Sequence, residues 1–132
     1  MLLGFKRRFA PFVEDGTKTH TIRGARKNQP RVGETCHCYV DPRQKTMRLL
    51  GRFPCVRVEA IVIDYREWNV HAPLVVTIDS VRLTDEEADA LFERDGFRDK
   101  TGETYQHMHQ AAEFWRERTF PFQGHLIHWR YA

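Results

Sequence analysis

The chain has 132 residues, 41% of them hydrophobic and 30% charged, with three cysteines and a formal net charge of +3. These values describe one globular domain large enough to bury a core, and they exclude a disordered chain or a disulfide scaffold. The apolar runs are too short to span a bilayer. The opening Met-Leu-Leu-Gly-Phe-Lys-Arg-Arg also puts its charge after its apolar residues, the reverse of a secretion signal. A cytoplasmic protein with no membrane partner is therefore expected.

In chain order, Phe9, Phe12 and Val13 have helical spacing, Pro11 is tolerated in a first turn, and Gly16 ends the helix. Residues 19–23 alternate as a strand and lead into a basic loop at 24–29. A turn at 30–34 precedes a second strand at 35–40. Further strands are predicted at 48–53, 56–65 and 74–82, where Val and Ile are concentrated. Thr84-Asp85-Glu86-Glu87 is a capping box. The helix it starts carries an apolar stripe of Ala88, Leu91 and Phe92 and ends at Asp95-Gly96-Phe97. Met108, Ala111, Ala112 and Trp115 mark another helix, and residues 125–131 a closing strand. Several short strands without repeated strand–helix alternation predict an α+β fold, a small mixed β-barrel flanked by helices.

The cysteines are expected to be reduced. Cys36 and Cys38 share a face with Val40, which reads as core, and the histidines do not follow a zinc spacing, so no metal and no cofactor are expected. Trp115, Phe114 and Trp129 read as packing residues, His20 as a buried one, and His107 and His109 as exposed.

Residues 16–23, Gly-Thr-Lys-Thr-His-Thr-Ile-Arg, gather an amine, three hydroxyls, an imidazole and a guanidinium. A strand here puts Thr19, Thr21 and Arg23 on one face and His20 and Ile22 on the other. That polar face suits an anionic or amide-bearing ligand, and it equally suits a solvated edge strand. Residues 1–52 hold 12 Lys or Arg against 4 Asp or Glu, whereas residues 53–132 hold 9 against 14. The motif lies in the basic part, which favours a polyanionic or phosphate-bearing partner.

The run Gly16-x-Lys18-Thr19-x-Thr21-Ile22-Arg23, the Val32-Gly33-Glu34 turn, Asp95-Gly96-Phe97, the helix through Trp115 and the closing His125-Leu-Ile-His-Trp129 together resemble an ASCH domain. The resemblance spans nearly the whole chain and implies a PUA-like barrel linked to RNA. Some small bacterial ASCH proteins are amidohydrolases that remove acetyl from N4-acetylcytidine, and others bind or cut nucleic acid. The resemblance places a catalytic lysine at Lys18, a threonine at Thr21 and an acid at Asp95, with Glu93 nearby, where the amidohydrolases carry a glutamate.

Two functions follow as expectations, beside a third in which the motif merely closes the fold of a protein-interaction domain. One is recognition of RNA or a modified nucleoside by a monomer. Thr19, Arg23, Arg26, Lys27 and Arg31 would bind the ligand, and Tyr39 or Trp68 would stack on a base. The other is amide hydrolysis. Lys18 would act as base toward Thr21 or water, and protonated Asp95 or Glu93 would donate to the leaving nitrogen. Residues 18 and 21 are an odd number apart, so they converge only if Lys18 lies in the turn before the strand.

Overall fold

The computed structural model describes residues 1–131. The patterns read above resolve, in chain order, into β1 (Leu2–Phe5), α1 (Ala10–Glu14), β2 (His20–Gly24), β3 (Thr35–Val40) and β4 (Arg48–Tyr65). After these come β5 (Leu74–Ile78), β6 (Val81–Arg82), α2 (Asp85–Asp95), α3 (Gln106–Phe114) and β7 (Phe122–Trp129). Among the described residues this is an α+β fold of seven strands in one mixed sheet and three helices. None of the helices is long and apolar enough to cross a membrane.

β4 organises the sheet. Its first part pairs with β3 from Arg48 to Pro54, its middle with β7 from Cys55 to Ile63, and its end with β5 from Ile61 to Tyr65. Two separate strands were expected here, interrupted near Pro54. The strand continues instead, because Pro54 sits at the change of partner and lacks only a donor. Its carbonyl accepts from Arg130, while Cys55 donates to Glu34. The segment predicted as one strand over 74–82 is a hairpin. Asp79 and Ser80 at its tip have φ of 47° and 68°, as a tight two-residue hairpin turn requires.

Patterning did not reveal β1, which is only four residues long and pairs in parallel with β3. It changes the architecture. Among the described residues no backbone ladder joins β1 to β2, so the sheet is not closed into a barrel. Two arginines bridge the seam. Arg23 Nη2 donates to Gly4 O at 2.7 Å and Arg26 Nη2 to Leu2 O at 3.2 Å. These carbonyls lie two residues apart and point away from β3, so side chains from the β2 side satisfy the free edge of β1.

The helices cover the sheet with an aromatic cluster. Phe9 meets Phe97 and Phe114 edge-on at 5.5 and 5.7 Å, and Phe92 meets Trp115 at 5.7 Å. The expected capping box of Thr84 and Glu87 is present, as is the buried stripe of Ala88, Leu91 and Phe92. Gly96 has φ of 121°, and a Cβ there would sit 2.5 Å from the Phe9 ring, so both its conformation and its contact require glycine. Cys36, Cys38 and Val40 are buried on one face of β3.

Candidate functional site

The turn before β2 is fixed from several directions. Asp15 Oδ1 accepts from the Thr17 amide at 2.8 Å and from the Thr17 hydroxyl at 2.6 Å, and the Lys18 amide donates to Phe12 O. Lys18 therefore precedes the strand, which begins at His20. Its side chain folds inward and is only 2% exposed. This resolves the parity problem, since Lys18 and Thr21 line the same cavity.

Lys18 Nζ donates to both Oδ1 and the backbone carbonyl of Asp95, each at 2.6 Å. Asp95 is the last residue of α2, where the helix dipole favours a cation and disfavours a carboxylate. Lys18 supplies that cation. It also lies over the rings of Phe5 and Phe9 at 5.8 and 5.5 Å.

Burial, above all, pulls the Lys18 amine below the ordinary lysine value. The charges of Arg23 and Arg98 act in the same direction, against the attraction of Asp95. Burial pushes the Asp95 carboxyl up, but Lys18 and His20 outweigh it and hold the group below the usual carboxylate range. Lys18 Nζ and Asp95 Oδ1 form a buried ion pair at 2.6 Å, with an amine that loses its proton more readily than an exposed lysine. In the amidohydrolase reading a proton must therefore reach the Asp95 carboxylate before it can donate. Glu93 is not in the cavity, because its carboxylate lies 3.1 Å from His107 Nε2.

Arg23 Nε donates to Thr21 Oγ1 at 3.1 Å, which leaves the Thr21 hydroxyl hydrogen free to point elsewhere. The Arg23 guanidinium lies 4.8 Å from the Phe5 ring centre, and burial lowers its pKa to about 10. Lys18, Thr21, Arg23 and Asp95 meet around a cavity of about 150 Å³. Phe5, Phe9, Phe97, Phe114 and Trp115 supply its apolar walls, and Lys6 and Arg118 add charge. At that volume, below the roughly 300–1,000 Å³ of drug-sized sites, it has room for one small ring or acyl group and not for a whole nucleoside.

No known protein family, curated protein or solved structure matches the chain.

The other predicted ligand-binding residues lie elsewhere. Thr19 is half-buried outside the cavity, and its carbonyl accepts from Trp129 N. Arg26, Lys27 and Arg31 line shallow surface depressions with Asn28, Gln29 and Glu34. Tyr39 is half-buried on β3 opposite Gly4, and Trp68 lies 79% exposed on the β4–β5 loop beside Arg66. Neither aromatic lines the cavity.

Sequence reasoning missed the burial of one histidine and the contact made by another. His107 was expected at the surface, yet it is buried, with Nδ1 against Phe97 O and Nε2 against Glu93. The α3 start that carries it is folded under the turn after α2. His20 is buried as expected, but its Nε2 faces Asp95 Oδ1 at 3.4 Å without a directed hydrogen bond. The signal was its place between Lys18 and Thr21; the contact itself depends on α2, which lies far along the chain.

Proposed function

We propose that this chain is an ASCH-like domain that recognises a nucleobase, in RNA or as a free modified nucleoside, in the cavity of Lys18, Thr21, Arg23 and Asp95. One observation carries the reading. A small cavity has aromatic walls and, on its polar side, an ammonium–carboxylate pair, a hydroxyl and a guanidinium. A flat heteroaromatic ring with carbonyl and amino edges uses both kinds of surface. The ribose and phosphates would stay outside, near Lys6 and Arg118. The resemblance of residues 16–23 to the ASCH motif supports the same ligand class.

Calorimetric titration with cytidine, N4-acetylcytidine and a short single-stranded RNA tests this. Binding of at least one of them, lost in Arg23→Ala and weakened by salt for the RNA alone, is expected. A chain that binds none of the three and is unaffected by Arg23→Ala would overturn the reading in favour of a protein-interaction domain.

A second reading, amide hydrolysis, is favoured by the buried, low-pKa amine of Lys18 in the same cavity as the Thr21 hydroxyl. The 2.6 Å contact lets the ammonium pass a proton to Asp95, giving a neutral amine beside a carboxylic acid. Thr21 Oγ would then bond to the acetyl carbon while its proton goes to the Lys18 amine. The carbon–nitrogen bond would break as Asp95 returns its proton to the departing nitrogen. Water would hydrolyse the acetyl-threonine ester to acetate. Release of cytidine from N4-acetylcytidine, abolished in Lys18→Ala and Asp95→Asn, is the expected outcome; binding without release would leave recognition alone.

A further inference from the structure

We propose that His20 is a positioning residue of this site: its imidazole edge lies against Asp95 Oδ1 beside the Lys18 amine and acts on that carboxylate through its charge, and the His128–Glu59 pair behind it couples the carboxylate to the outer side of the sheet. The inference holds whatever ligand the cavity takes.

The observations form a row across three adjacent strands. His20 on β2 is in register with His128 on β7, and His128 is in register with Arg57 on β4. The two imidazoles meet edge-on with centres 5.7 Å apart. His128 Nε2 lies 2.6 Å from Glu59 Oε1, and Glu59 Oε2 accepts from Arg57 at 2.8 Å. At the inner end, His20 Nε2 is a buried nitrogen without a hydrogen-bond partner, 3.4 Å from the carboxylate oxygen that also receives Lys18. Asp95, His20 and Glu59 are all less than a tenth exposed, whereas the Arg57 side chain is 66% exposed.

The chemistry constrains the tautomer. A bare Nε2 lone pair at 3.4 Å from a carboxylate oxygen is repelled, so Nε2 carries the hydrogen. A neutral His20 then presents only its weakly polar N–H edge to Asp95, and a charged one presents a second cation at 3.4 Å. The groups that face His20 are Asp95 from α2, Lys18 from the turn before β2, and His128 from β7; Glu59 and Arg57 of β4 act on it through His128. Charging His20 strengthens the hold on Asp95 and repels the Lys18 ammonium, which favours the neutral amine. The state of the cavity is thereby linked to groups that solvent reaches on the far side of the sheet.

Carbon-13 NMR of the Asp95 carboxyl across a pH titration tests this without any ligand, so its failure would leave the proposed ligand class untouched. The wild-type signal is expected to show its own carboxyl step and a smaller step as His20 charges. His20→Gln, which keeps an N–H donor but does not titrate, is expected to retain the carboxyl step and lose the smaller one. His128→Gln removes a repelling imidazole and is expected to shift the smaller step upward in pH. His20→Leu, if folded, is expected to raise the carboxyl midpoint; if it unfolds, the Gln variants decide. A wild-type Asp95 signal with no second step below pH 6.5, or a second step that persists in His20→Gln, would overturn the proposal.

Discussion

Lys18 Nζ lies 2.6 Å from both the carbonyl and Oδ1 of Asp95, so one residue at the end of α2 supplies two acceptors to a fully buried ammonium. The two residues are 77 positions apart, and their contact fastens the turn before β2 to the end of a distant helix. Either charge left alone would be buried without compensation. Lys18→Met and Asp95→Leu are each expected to destabilise the fold by about 3–5 kcal/mol, and the double variant by less than their sum. Urea unfolding of all four chains measures the coupling, and additive losses would show that the pair does not act as a unit.

Acid is expected to destabilise the fold in two windows. Burial holds the His20 imidazole below its ordinary 6.5, so the unfolded chain binds a proton first and stability falls as pH drops below that value. Asp95 is held below its ordinary 3.8, so its contribution is present above 3.8 and is lost as pH falls through the folded value. His20→Gln should flatten the upper window and Asp95→Asn the lower one. Urea midpoints across pH 2 to 8 measure both; wild-type slopes in both variants would refute the assignment.

Arg23 joins β2 to the free edge of β1. Arg23→Ala removes charge-assisted bonds to Gly4 O and Thr21 Oγ1, an expected loss of about 1.5–3 kcal/mol. Hydrogen exchange should quicken first at the His37 amide, which donates to Met1 O across the β1–β3 ladder. Uniformly quicker exchange throughout the sheet would instead point to global destabilisation.

Gly124 faces Gly24 across β2 and β7, and a Cβ there would lie 2.1 Å from Arg23 O. Because the obstacle is backbone, no side-chain rotation relieves it. Gly124→Ala should therefore separate the strands near Arg23, lowering the thermal midpoint and any ligand affinity together. An unchanged midpoint would show that the ladder can shift to absorb the methyl group.

Thr84→Ala removes only the side-chain half of the capping box on α2. An expected loss of about 1 kcal/mol, with the Lys18–Asp95 coupling energy unchanged, would separate the stability of the helix start from the site at its other end. A changed coupling energy would show that the helix moves as a rigid lever.

What the sequence determined by itself was local. The capping box, the left-handed Gly96 after α2, the alternation of residues 35–40 and the glycine turn before Lys18 all rest on interactions within a few residues, so their patterns are legible one segment at a time. The motif at 16–23 also indicated which side chains carry chemistry, because amine, hydroxyl and guanidinium crowd into one short stretch. Tertiary structure decided the rest. β1 is too short to show a period and forms by pairing with a strand more than 30 residues away. The open seam, the continuous β4 through Pro54 and the burial of His107 depend on what packs alongside. The charge state of the site was likewise beyond the reach of pattern: Lys18 and His20 converge on the buried Asp95 and hold its carboxyl below the usual carboxylate range, and electrostatic strength there is set by distance and burial.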